Sequence, residues 1–198
     1  GKINYSFPNF FTVDHITLTG NKSQSLSLHN IELHYQKIFP DNIWKVTATI
    51  AGGKLSANLA AKLQNKTIES DNFRLENVEI ENLKYLQSYA KRAISGKFNF
   101  SGSFSMNLEK HDYSGQGEML LNDFTFSLRR PILSMENLHL DSVSSHLSYS
   151  GEKLILAKGN GDGQLLRTIF SGEINFNSAS FDKEIQITGD IFPTPGLI

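Results

Sequence analysis

A short phrase recurs along this chain: a glycine, then alternating apolar and polar residues, then a polar turn. One copy runs from Ser95 to Leu108 through Gly96, Phe98, Phe100, Gly102, Phe104 and Met106; another is made by Phe170–Asn177 together with Glu184–Ile191. Successive side chains of a β-strand point to opposite sides, so alternation with period two specifies strands that have one buried and one hydrated face. The phrase therefore predicts a mainly β protein, an elongated, twisted antiparallel sheet.

The same period marks Asp14–Thr19 and Ser25–Tyr35, where a phase slip at His29-Asn30 predicts a bulge. Trp44–Ile50 and Lys54–Leu63 flank Gly52-Gly53 as a hairpin, and Asn72–Glu81 alternates with a second slip. At Asn82 the period changes. Leu83, Leu86, Ala90, Ala93 and Ile94 recur at three- and four-residue spacing, which predicts one amphipathic helix near 82–94 with Asn82 as N-cap. Lys91, Arg92 and Gly96 fit the end of that helix. Strands then return at Lys97–Leu108, Gly115–Leu128, Leu138–Tyr149, Lys153–Lys158, Leu165–Asn177 and Glu184–Phe192, closely enough spaced for a meander. Arg129-Arg130-Pro131-Ile132-Leu133-Ser134 is expected to be a crossover or a short second helix, and Gly159-Asn160-Gly161-Asp162-Gly163 a hairpin turn. No linker divides the chain, so residues 1–198 are read as a single β-rich domain.

Composition excludes several functions. Lysine and arginine total 19 against 20 acidic residues, a net charge of -1 that offers no broad attraction to nucleic acid. Cysteine is absent, which removes disulfides, thiolate zinc sites and cysteine nucleophiles. The apolar runs are far shorter than the roughly 20 residues that span a bilayer. The abrupt ends, Gly1-Lys2-Ile3 and Pro193-Thr194-Pro195-Gly196, lead to the expectation that an N-terminal membrane anchor has been removed.

Candidate chemistry is sparse. His29 and His34 are five residues apart, on opposite faces of a regular strand, and His15, His111, His139 and His146 lack neighbouring ligands at metal-binding spacing. Asp14-His15 has no nucleophile elbow to serve. The Gly159–Gly163 run precedes a strand rather than a helix, which argues against a phosphate loop, and is a single copy, which argues against a calcium repeat; Asp162 is its only carboxylate. We expect no catalytic residue, no metal site and no cofactor, and we read the chain as not an enzyme.

The apolar inventory is more informative. Among 14 phenylalanines, Phe98, Phe100, Phe104, Phe124, Phe126, Phe170 and Phe176 fall in predicted strands and mark an apolar groove or interface. One short helix cannot cover many strands, so the sheet must either fold over into a sandwich or leave an open groove suited to an acyl chain.

Ile94-Ser95-Gly96-Lys97-Phe98-Asn99-Phe100-Ser101-Gly102, followed by Tyr113-Ser114-Gly115-Gln116-Gly117-Glu118-Met119-Leu120-Leu121-Asn122, resembles the type II secretion system protein N (GspN) family. The ending does too: Lys153–Leu156, Gly161-Asp162-Gly163, Phe170–Phe176 and Ile187–Pro193. That family is similar to AsmA-like envelope proteins. The resemblance implies a periplasmic domain tethered to the bacterial inner membrane, and a non-enzymatic accessory of type II secretion acting by protein-protein contact with other secretion-apparatus or envelope proteins. The AsmA-like side implies the alternative, a lipid-binding or lipid-bridging module that holds acyl chains on an apolar sheet face.

Overall fold

The computed structural model describes residues 3–6, 10–19, 25–37, 42–62, 64–110, 112–132, 135–176 and 183–195. Each alternating segment forms a strand, and each strand pairs antiparallel with its neighbour in sequence. The strands are β1 (Ile3–Ser6), β2 (Phe10–Thr19), β3 (Ser25–Lys37), β4 (Asn42–Ile50), β5 (Gly53–Lys62) and β6 (Thr67–Glu79). After a helical interruption come β7 (Ile94–Asn107), β8 (Asp112–Ile132), β9 (Met135–Ser150), β10 (Lys153–Asp162), β11 (Leu166–Phe176) and β12 (Lys183–Pro193). Among the described residues these twelve strands make one open sheet in strict chain order. No second layer is shown, so the sandwich expected as one alternative gives way to a single sheet.

Register explains why one face is apolar. Val78 pairs with Phe98, Phe98 with Leu121, and Leu121 with Val143; the row continues through Gly161 and Thr168 to Ile191 on β12. Three residues along β7, β8 and β9 from that row, the row Arg74, Ser101, Glu118, His146 is polar. Because cross-strand partners project to the same side, strands in this register line one face with apolar groups and the other with polar ones. The buried residues Ile31, Ala48, Ile50, Ala57, Val78, Leu140, Val143 and Leu166 all lie on the apolar face. Leu140, Val143 and Leu166 form a core with Leu121, Phe124, Leu138 and Phe170 packed against them.

Long strands hold that phase only because bulges reset it. Asn30, Asn77, Asp123 and Lys158 all have left-handed φ, between 50° and 53°. Each lies where two residues oppose one: Asn30 and Ile31 against Ala48, Glu76 and Asn77 against Asn99, Asp123 and Phe124 against Gly96, Lys158 and Gly159 against Ser145. Three of the four are Asn or Asp, which tolerate this region best. At Asn77 the displaced backbone N–H donates to Asn99 Oδ1 at 2.9 Å, so the bulge leaves no orphan amide there. The slips at His29-Asn30 and within Asn72–Glu81 are thus bulges.

Several sequence expectations need correction. The segment expected as a helix over 82–94 is a 3-10 turn, Ile80–Asn82, followed by a two-turn helix α1, Lys84–Ala90. Asn82 is not its N-cap; Leu83 occupies that position without a side-chain cap bond. Lys91, left-handed at φ 52°, ends the helix, and Ile94 already begins β7, so Gly96 is a strand residue opposite the Asp123 bulge. The Gln87 side chain ties the helix to the sheet: its Nε2 donates to Ile94 O at 2.6 Å and its Oε1 accepts from Ile94 N at 3.4 Å. Arg129–Ile132 neither cross over nor turn helical. They extend β8, whose last residue pairs with Met135 of β9 after a register shift between Ser127 and Ile132; Leu133 and Ser134 lie outside the described residues. The Gly52-Gly53 hairpin turns on Ala51-Gly52, both at positive φ (44° and 82°), as a two-residue turn matching strand twist requires.

Gly159–Asp162 is not a turn either; it belongs to β10. A Cβ at Gly159 would lie 2.4 Å from the Phe170 ring, and one at Gly117 would lie 2.3 Å from the backbone oxygen of Ser101. These glycines let a ring or a neighbouring strand approach the backbone closely. Gly117→Ala should therefore lower the urea midpoint, at a cost of about 1–3 kcal/mol for overpacking. Gly115→Ala, whose Cβ would sit 3.0 Å from Ser103 O, should cost less. Equilibrium unfolding of both variants checks the order.

Candidate functional site

Alternation on β6 and β7 puts Phe73, Leu75 and Val78 beside Phe98, Phe100, Phe104 and Met106, and two cavities open on this face. The first, about 590 Å³, is lined by Leu26 on β3, Ile50 at the end of β4, Leu75 and Val78 on β6, Phe98 on β7, and Leu83 and Leu86 of the helical segment. Ser25, Ser27, His29, Ala51, Asn82 and Lys84 complete its wall. The second, about 400 Å³, is lined by Phe73, Phe100, Phe104, Met106, Tyr113, Leu147, Tyr149 and Leu154, with almost no polar surface. Phe73 stands edge-on to Phe104, with ring centroids 5.6 Å apart, and tilted to Phe100 at 6.0 Å. Since Leu75 follows Phe73 and Phe98 precedes Phe100 on the same strand faces, the two cavities adjoin.

The seven phenylalanines singled out in the sequence divide as follows. Phe98 lines the first cavity, and Phe100 and Phe104 the second. Phe124 and Phe170 pack on the Leu140 core, and Phe126 pairs in register with Ile94 and Leu138 on the same face. Phe176 ends β11, and its side chain lies outside the described residues. Leu75, Val78, Leu147, Tyr149 and Leu154 were not singled out, although their strands show the same alternation. Toward β12 the apolar face is uncovered: Ile187 is 60% and Ile191 69% exposed.

The polar face carries paired histidines. His139 Nδ1 lies 3.0 Å from Thr125 Oγ1 while its Nε2 lies 3.3 Å from Asp141 Oδ1, and His146 Nδ1 lies 2.9 Å from Glu118 Oε1. Thr125 and Glu118 come from the adjacent strand β8, so sequence spacing hides them, whereas Asp141 stands two residues from His139 on β9, a neighbour that the spacing does offer. None of Thr125, His139 and Asp141 lines either of these two cavities, whereas Glu118 and His146 line a polar cavity of about 350 Å³ with Ser144, Ser145 and Lys158. His15 and His29 stack across β2 and β3 with centroids 6.3 Å apart. Among the described residues no three metal-ligating side chains converge; His111 lies outside them. Asp162 is held by Arg167 Nε at 2.7 Å.

Among the described residues, the Glu173 carboxylate has a lowered pKa. The Lys153 ammonium, 2.5 Å from Glu173, hydrogen-bonds the carboxylate and holds its pKa below the ordinary value, with Asn175 Nδ2 adding a second bond at 3.3 Å. A depressed folded-state pKa stabilises the fold above the unfolded value, and that contribution is lost as pH falls through the folded one. Carboxyl-carbon NMR titration should place Glu173 below a typical glutamate, and Lys153→Gln should move it back up.

No family model matches this chain, and neither the curated proteins nor the solved structures contain a match to it.

Proposed function

We propose that this protein is a non-enzymatic lipid-binding module of the bacterial envelope that holds acyl chains in an open groove along the apolar face of its sheet. The observation that carries the reading is one face, apolar from β3 to β12, whose described cover is a single seven-residue helix at one end. Such a surface is costly to leave in water, because each buried methylene contributes about 0.8 kcal/mol. Two adjoining cavities of 590 and 400 Å³ fall in the range that takes small apolar ligands. The strand ladder satisfies the backbone from within, so the floor beneath an acyl chain presents side chains rather than bare amides. The resemblance to AsmA-like envelope proteins supports the same reading and a periplasmic place tethered to the inner membrane. No helix among the described residues is long and apolar enough to cross a membrane.

A second reading, accessory of type II secretion through protein contact, draws on β12. Among the described residues its outer edge has no partner strand, and its backbone and exposed isoleucines offer the main-chain donors and side-chain anchors that strand addition uses.

Purified protein mixed with phosphatidylglycerol or fatty acid and examined by native mass spectrometry should carry acyl adducts. Met106→Glu, which puts a charge in the second cavity, should reduce adduct formation at least tenfold while far-ultraviolet circular dichroism stays β-type. Wild-type protein that takes up no lipid at any tested ratio would overturn the proposal and leave the protein-contact reading.

A further inference from the structure

The two cavities differ in one respect that sets a direction. No charged residue lines the second, whereas Lys84 is the single formal charge in the wall of the first, and no acidic residue accompanies it there. Both carboxylates nearest in sequence already accept hydrogen bonds, Glu79 from a residue of the wall itself. Glu79 Oε2 accepts from Asn82 Nδ2 at 2.5 Å, and Glu81 Oε2 accepts from the Gly96 N–H at 3.2 Å. No ion pair joins Lys84 to a carboxylate among the described residues, and its side chain is exposed to solvent. The remaining polar groups of the wall are Ser25, Ser27 and His29 on β3 and Asn82 beside Lys84; the two serine hydroxyls can donate to an oxyanion.

We infer that the first cavity is a head-group site for a single-chain anionic amphiphile of the fatty-acid class, its carboxylate at Lys84 and its chain running along β7 toward the second cavity. The inference rests on the acyl-binding reading above and adds an end and a charge to it. Volume supports one chain: about 590 Å³ suits a small ligand, and the floor of Ile50, Leu75, Val78 and Phe98 is wholly apolar. Length agrees as well. Phe98 in the first cavity and Phe104 in the second are six residues apart on one strand, which at about 3.3 Å per residue is roughly 20 Å, within the reach of a long alkyl chain. A cation without an ion pair among the described residues at one end and a charge-free apolar wall at the other match an amphiphile with its acid at the helical turn, because a charge-assisted hydrogen bond from the ammonium favours the ionised head at that end.

The test compares oleate with oleyl alcohol, each below its aggregation concentration, by isothermal titration at pH 8. Wild-type protein should bind oleate more tightly than the alcohol. Lys84→Glu should weaken oleate at least fivefold while changing the alcohol less than twofold, and Lys84→Arg should restore oleate binding. Equal loss of both ligands in Lys84→Glu would mean that Lys84 merely supports the helical turn, and would overturn the head-group site. Equal binding of oleate and alcohol, unaffected by either variant, would also overturn it while leaving acyl binding intact. Failure of wild-type protein to bind either compound would overturn the acyl-binding reading itself, and the head-group site with it.

Discussion

Everything in this molecule depends on keeping one face of a very wide sheet in phase. A strand that gains or loses one residue of register turns its apolar set outward, and β8, at 21 residues, gives many chances for such a slip. The chain solves the problem with bulges rather than with short strands. At Asn30, Asn77, Asp123 and Lys158 an extra residue takes a left-handed conformation and the alternation restarts on the correct side. Bulges also increase local twist, and residues such as Val78 and Ile31 are buried on the face that they keep in phase.

Glycine has the complementary role. Large groups on the apolar face meet a gap in the next strand: the Phe170 ring lies over Gly159, and Ile187 pairs with Gly172. Rings can therefore lie flat against the backbone instead of standing away from it. The result is a mostly apolar face, interrupted by the buried Ser70 and Ser145 and uneven in depth, with a packed core around Leu140, Val143 and Leu166 and two cavities elsewhere. The small helix sits at the mouth of one of those cavities and brings the only charge into its wall, so a local interruption of the sheet also breaks the symmetry of the groove.

Much of this was legible in the chain. Phe98, Phe100 and Phe104 alternate so plainly with Lys97, Asn99, Ser101 and Ser105 that strand, face and membership of the apolar surface follow from side-chain period alone. The phase slip at His29-Asn30 marked its bulge for the same reason. Other segments misled because local chemistry was overruled by pairing. Gly159–Asp162 has the composition of a turn, yet its glycines serve close approach to Phe170 and Thr168, partners that lie on another strand. Arg129–Pro131 reads as a breaker, yet proline is tolerated near a strand end, and β8 runs on through it. The period of 82–94 pointed to a longer helix, but Lys91 turns left-handed and β7 recruits the residues from Ile94 onward into the sheet.

By itself, then, the sequence determined a mainly β chain of sequential antiparallel strands with one apolar and one polar face, because alternation with period two permits little else. It also determined what the protein lacks, thiols above all. Only the tertiary structure decided that the strands stay in a single open sheet, that Leu75, Val78, Leu147, Tyr149 and Leu154 join the phenylalanines around two cavities, and that Lys84 faces one of them. Those outcomes depend on cross-strand register and on the placing of bulges, which bring together residues far apart in the chain, and no local pattern encodes which distant residue a side chain will meet.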